Sequence, residues 1–145
     1  MAGEAKDQWS KIAMGDNGLV TIASAYTARE TMERLLAGVK THNMTVFARI
    51  DHAAGAASAG LPLRATEVVL FGNPKGGTPL MQDRQTAGID LPLKVLVWED
   101  EAGQAQLSYN DPQWIAQRHG LGAHSAGAVA AMTKALQEIA KAATT

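Results

Sequence analysis

The sequence predicts an α+β domain in which a mainly antiparallel, five-stranded sheet carries helices on one face. Strand-like segments follow one another instead of alternating with long helices, which favours antiparallel pairing. Two longer segments carry apolar residues at helical spacing. The predicted order is therefore strand, helix, four strands with short helical insertions, and a long helix. A chain of 145 residues fits one domain with one hydrophobic core.

The first predicted strand and helix open the domain. Residues 18–26 contain a β-branched, apolar run that favours a strand. Thr27 and Glu30 have the spacing of a capping box, which predicts that a helix begins there. The apolar stripe of this helix consists of Met32, Leu35, Leu36 and Val39. That stripe is expected to pack against the sheet.

The remaining strands are predicted at residues 44–51, 66–71, 91–99 and 104–109, the last two joined as a hairpin. Residues 52–62 are interpreted as a loop rich in small residues, in which Ala53–Ala59 could form one helical turn. A short helix is predicted from Thr78 as N-cap, with Pro79 at its first position, to Gly88.

Two helices are predicted near the end of the chain. Asp111 and Pro112 begin a short helix that ends at Gly120. The final helix spans about residues 125–142 and carries the stripe Val129, Met132, Leu136 and Ile139. Because helices cover only one sheet face, the second face is expected to be buried by another copy of the chain, which predicts a homodimer.

Composition excludes several function classes. Thirteen Lys and Arg residues nearly balance fourteen Asp and Glu residues, so no net field attracts nucleic acid or an anionic membrane. The absence of cysteine excludes disulfides, thiolate nucleophiles and iron–sulfur clusters. Residues 1–17 are interpreted as an N-terminal arm and residues 18–145 as the domain. No signal-peptide or membrane-spanning pattern occurs, so the chain as given is expected to be cytoplasmic; a periplasmic protein after signal removal would look the same.

Several short motifs in fixed order carry a family resemblance. They are the run Arg49–His52, Leu63–Thr66, Phe71–Pro74, Gly77–Met81, Asp90–Leu93 and Tyr109–Pro112. Together they resemble the domain of unknown function 302 family over about residues 18–122. The resemblance implies a TATA-binding-protein-like α+β fold that is usually paired as a dimer. It implies no established activity.

One group of candidate site residues lies near the ends of the second and third predicted strands. Asp51 could orient the His52 ring as an acid–base pair, or the two residues could serve as a turn and cap. Arg49 and Arg64 would add a cationic corner that holds a small anionic ligand, or would pair with Asp51 and Glu67.

A second group lies at the opposite end of the sheet. Asn73 and Lys75 precede the predicted Thr78 cap with two glycines, a position that favours either a turn or an anion site. Tyr109 ends the last strand at the same side. His119 and His124 match no zinc spacing, so no metal site is predicted, while a non-covalent cofactor such as haem stays open.

The leading functional hypothesis is a dimeric small-ligand-binding or sensor module. Its polar site is expected near the loops after the second and third predicted strands. One alternative is an enzyme that uses Asp51 and His52 as acid and base. Another is a structural unit whose assembly is its function.

Overall fold

The computed structural model describes the backbone of residues 12–14 and all of residues 17–145. The described strands form one six-stranded antiparallel sheet in the order β1-β2-β6-β5-β4-β3. They are β1 (Ile12–Met14), β2 (Leu19–Ala23), β3 (Thr45–Asp51), β4 (Thr66–Gly72), β5 (Leu93–Glu99) and β6 (Ala105–Asn110). The predicted antiparallel α+β fold is confirmed. The predicted arm contributes β1 as an additional strand, and residues 1–11, 15 and 16 of that arm lie outside the described residues.

The helices have the following bounds: α1 (Ala28–Thr41), α2 (His52–Ser58), α3 (Pro74–Asp83), α4 (Pro112–His119) and α5 (Ala126–Thr144). A 3₁₀ helix covers Gln85–Asp90. Thr27 Oγ1 accepts a hydrogen bond from Glu30 N (3.1 Å), so the Thr27 side of the predicted capping box starts α1.

The core lies between the sheet and the two long helices. Met32, Leu35 and Val39 of α1 are buried, as are all four predicted stripe residues of α5. They pack on the strand residues Val20, Val69, Phe71, Val95, Val97, Leu107 and Tyr109. The register places alternate strand residues on this face, because successive side chains point to opposite sides of a sheet. Both helical stripes therefore face the sheet as predicted.

Helix α3 begins earlier than predicted. Asn73 is its N-cap, with Asn73 Oδ1 accepting from Lys75 N (2.9 Å) and Pro74 at the first position. Thr78 and Pro79 lie inside the helix. The two Asn/Thr-Pro sequences have the same capping form, and the structure uses the first. The pair Gly76 and Gly77, predicted as a turn before the helix, consequently lies near the start of the helix itself.

The loop predicted at residues 52–62 also begins as a helix. Asp51 Oδ1 accepts from Ala54 N (2.9 Å) and caps the seven-residue helix α2. None of the α2 residues is buried. This helix overlaps the helical turn considered for Ala53–Ala59; because its small residues form no apolar stripe, the sequence does not indicate that it begins at His52.

The sheet face opposite the helices is partly exposed. Ile50, Val68 and Leu96 stand opposite one another on this face, followed by Ser108 and Thr21. Ile50 is 45% exposed. The hydroxyls of Thr21 and Ser108 lie 2.8 Å apart, and Trp98 Nε1 donates to Ser108 Oγ (2.9 Å). We call this surface the open face.

Candidate functional site

A groove of about 610 Å³ lies between helices α3 and α5, the end of α1, and the ends of strands β3, β4 and β5. Its wall is mainly apolar. The large apolar side chains that line it are Met44, Phe47, Met81, Leu91, Leu93 and Met132, and small alanines of α5 complete that side. A volume and composition of this kind are typical of small-molecule sites.

Glycines leave part of the groove lining without side chains. Gly72, Gly76, Gly77 and Gly88 all line it. A Cβ atom at Gly76 would stand 3.7 Å from Met132 Cε, and one at Gly77 would stand 3.7 Å from Leu91 Cδ1. Any larger side chain at either position would therefore extend into the groove. Glycine within a helix costs up to about 1 kcal/mol relative to alanine. The space at Gly76 and Gly77 is therefore obtained at some expense of the stability of α3.

The polar side chains that line the groove are few: His42, Asn73, Lys75 and Thr78. Three of them are exposed and His42 is half-buried, so we call this polar part of the lining the rim. Lys75 is exposed, and it forms no ion pair with any residue in the described part of the chain. Among the described residues that line the groove, none is acidic. The rim consequently has an excess of positive charge.

His42 joins α1 to α5 at this rim. Its Nε2 lies 3.0 Å from Glu138 Oε2, and its Nδ1 lies 2.9 Å from the carbonyl oxygen of Gly38. The hydrogen bond to Glu138 and the one to Gly38 raise the pKa of His42, because both acceptors favour the protonated ring. The same contact lowers the pKa of Glu138.

Two of the predicted site residues, Asn73 and Lys75, line the groove. They lie where β4 ends and α3 begins. The sequence places these two residues in a turn before a helix, whereas Asn73 is the N-cap and Lys75 belongs to the first turn of α3. Tyr109 lies at this end but is only 6% exposed within the core, where burial raises its pKa.

The other predicted residues lie away from the groove, around the opposite end of β3. Arg49 forms a two-pronged ion pair with Glu67, at 2.7 and 3.1 Å. This is the pairing that was considered as an alternative to ligand binding. Asp51 caps α2, and no hydrogen bond joins it to the His52 ring among the described residues. Arg64 Nε donates to the carbonyl oxygen of Glu99 (3.1 Å).

A cluster around His119 was not recognised in the sequence. His119 Nε2 lies 2.5 Å from Asp90 Oδ2, and its Nδ1 lies 3.0 Å from Thr86 Oγ1. Arg118 Nη1 donates to both oxygens of Asp90 at 3.0 Å. The four residues come from α4 and the 3₁₀ helix, about 30 residues apart in sequence, so no local spacing reveals them. The cluster ties these two elements together.

Neither a metal-ligand cluster nor a membrane-spanning helix occurs in the described residues. Within them, no group of three or more His, Asp or Glu side chains is placed to hold a metal ion. None of the helices in residues 17–145 combines the length and the apolar character needed to cross a bilayer.

The sequence is similar to curated proteins that are about twice as long. Over 126 residues it is 50% identical to a protein named fluoride-specific ion channel FluC 1 from Brucella suis biovar 1, covering 87% of this chain and 50% of that protein. A protein of the same name from Brucella abortus biovar 1 is also 50% identical, with 87% and 47% covered. The chain thus spans about half the length of the curated relatives it matches.

The fold has a solved counterpart. A crystal structure of an uncharacterized conserved DUF302 protein from Bacillus stearothermophilus superposes with a TM-score of 0.78 at 18% identity, covering 87% of this chain and 98% of that one. Residues 20–139 also match the family described as domain of unknown function DUF302. Because this match extends over most of the chain and the fold agrees, the chain belongs to the DUF302 family.

Proposed function

We propose that this chain is a small-ligand-binding or sensor domain whose ligand occupies the groove between α3 and α5. The observation that supports the proposal is the groove itself: about 610 Å³ of mainly apolar space, lined in part by glycines and bordered by the polar rim. This arrangement combines apolar contact area with a few orienting groups, as ligand sites usually do. The proposed site lies where β4 ends and α3 begins, and it does not include Asp51 or His52, which follow the second predicted strand.

Binding of the neutral fluorescent probe N-phenylnaphthylamine tests this function. Gly76→Leu places a branched side chain toward Met132 and is expected to abolish the fluorescence increase, because the groove is filled. Gly127→Leu is the matched control, since Gly127 lies in α5 with open space around its Cβ position. Equal probe binding by all three proteins, or none by the wild type, would contradict the proposal.

We further propose that the domain is a homodimer formed through the open face. Ile50, Val68 and Leu96 supply the apolar centre of that face. The neighbouring polar groups of Thr21, Ser108 and Trp98 are hydrogen-bonded to each other. Burial of this face therefore removes apolar surface from water without leaving those groups unpaired.

Sedimentation velocity over a range of protein concentrations tests the dimer. Leu96→Glu is expected to give a folded monomer, because a charge in the centre of an apolar interface costs several kcal/mol unless it is paired (about 3 or more). Ile89→Glu is the control: Ile89 is 73% exposed and lies in the 3₁₀ helix, away from the open face. A monomeric wild-type protein, or a Leu96→Glu variant that remains dimeric with unchanged far-UV circular dichroism, would refute it.

The relatives named as fluoride channels suggest a setting for this function. In them a segment 50% identical to this chain is covalently joined to further sequence of about equal length. The named channel activity belongs to those longer proteins, and the proposal for this chain rests on the groove. This covalent linkage is consistent with a domain that binds a ligand and transmits the binding to the sequence joined to it.

A further inference from the structure

We infer, building on the ligand-binding function proposed above, that the groove takes an amphipathic anion: a molecule with an apolar chain or ring and one acidic head group. The apolar part lies among the methionines, and the head group lies at Lys75.

The interior of the groove favours a flexible or variable apolar body. Met44, Met81 and Met132 line it from three different parts of the chain. Methionine is unbranched and polarizable, so it adapts to ligands of different outline better than β-branched residues do. The interior offers little hydrogen bonding, because the polar lining groups stand at the rim. A ligand with polar groups along its whole length would lose its hydrogen bonds to water there.

The rim favours an acidic head group over a neutral or basic one. Lys75 is exposed, forms no ion pair with any described residue, and stands on the first turn of α3. The charge of protonated His42 is already balanced by Glu138 at 3.0 Å. Since no acidic residue lines the described groove, a basic head group would meet no counter-charge. Lys75 is thus the group that distinguishes an anion from its neutral analogue.

Three ligands of equal chain length separate these possibilities: decanoate, decanol and decyltrimethylammonium, each measured by displacement of N-phenylnaphthylamine. Decanoate is expected to bind most tightly. Lys75→Gln is expected to weaken decanoate binding about fivefold, the upper range for an exposed ion pair, and to leave decanol binding unchanged. Lys141→Gln removes an exposed lysine elsewhere on α5 and is expected to change neither.

The outcomes separate this inference from the function on which it rests. Decanol binding as tightly as decanoate, or a Lys75→Gln variant that binds decanoate normally, would overturn the inference and leave the groove as a site for neutral ligands. Tightest binding of decyltrimethylammonium would overturn it as well. If N-phenylnaphthylamine itself does not bind, the proposed function fails first. Flotation with phosphatidylglycerol vesicles distinguishes an anionic lipid in a bilayer from a free amphiphile: we expect binding of the free form only.

Discussion

Gly18 shows how the backbone conformation of one residue fixes the packing of a neighbour. Its φ of +81° lies in the left-handed region, and a Cβ atom there would overlap the Trp114 side chain. The carbonyl oxygen of Gly18 also accepts from Asp111 N (2.8 Å), at the start of α4. The absence of a side chain at Gly18 therefore allows β2 and α4 to approach each other.

Gly18→Ala is expected to lower the free energy of unfolding by about 3 kcal/mol, because it adds an overpacked methyl group to a left-handed backbone. Gly120→Ala provides the comparison. Gly120 has φ +64° but open space at the Cβ position, so only the backbone cost of about 1 kcal/mol applies. Urea denaturation of both variants measures the difference. Equal losses would mean that contact with Trp114 is unimportant.

His42 makes stability depend on pH in a defined direction. Its pKa is raised in the folded protein by Glu138 and Gly38, so the folded state holds the proton more tightly than the unfolded chain. The contact therefore makes its full contribution to the stability of the folded state at pH values below the unfolded-state pKa of about 6.5. Its contribution is lost as the pH rises through the higher folded-state pKa.

We predict that His42→Gln destabilises the protein more at about pH 5.5 than at about pH 8.5, measured as the difference from wild type in urea denaturation at each pH. His52→Gln is the control, since His52 is exposed and outside this contact. A loss that is equal at both pH values would show that the His42–Glu138 pair does not contribute through its charge.

The residues of the candidate site were only partly visible in the sequence. Asn73 and Lys75, which the sequence singles out because they follow a strand and precede a predicted helix, line the groove. Met132 is predicted from the sequence only as part of the apolar stripe of the final helix, since the stripe looks the same whether the neighbouring space is filled or empty. His119 and Asp90 are 29 residues apart, and only the packing of α4 brings them together.

At the scale of elements, Asp83 links the end of α3 to the start of α5. Its Oδ2 accepts from Gly122 N (2.9 Å) and from Ser125 Oγ (2.7 Å), and these hydrogen bonds lower its pKa. The two helices that form the walls of the groove are thus fixed to each other. Because the folded-state pKa is depressed, the contact stabilises above the unfolded-state pKa and is lost as the pH falls through the folded-state value.

Asp83→Asn is expected to destabilise the protein at neutral pH. As the pH falls, the variant is expected to lose less stability than the wild type does, because it lacks the Asp83 carboxylate. Thermal denaturation from about pH 7 down to about pH 3 measures both effects. Glu101→Gln, in the exposed turn between β5 and β6, is the control and is expected to follow the wild-type curve. A variant with the same acid dependence as wild type would contradict the role of Asp83.

Elements with a strong periodic pattern were predicted well, and so was α4, whose N-cap Asp111 and C-cap Gly120 are as the sequence predicts. The stripes of α1 and α5 specify both helices and the faces they bury. The start of α3 depends on a choice between two similar caps, Asn73 and Thr78, which the sequence leaves equal. Strand β1 has three residues and no alternating pattern, so its pairing with β2 is a tertiary effect.

At the scale of the whole molecule, the groove and the open face occupy separate surfaces. The groove is lined by α3, α5 and strand ends, whereas the open face is centred on Ile50, Val68 and Leu96. Ile50, Val68 and Leu96 do not line the groove. Effects of substitutions at separate, non-contacting sites usually add independently.

We predict that Leu96→Glu binds N-phenylnaphthylamine with wild-type affinity and that Gly76→Leu keeps the wild-type sedimentation coefficient. Fluorescence titration and sedimentation velocity on the two variants check this. A monomeric variant with weakened probe binding would instead indicate that dimer formation and ligand binding are coupled.

The bulge in β3 influences how copies of the protein can meet. Strand β3 is an edge strand of the sheet, and its pairing with β4 is irregular between Val46 and Ala48. Beyond this bulge the strand carries the charged residues Arg49 and Asp51. An incoming strand from another molecule would find no long, even row of amide and carbonyl groups to continue. Sheet extension into fibres is thereby disfavoured. At high concentration the protein is expected to form closed, finite assemblies.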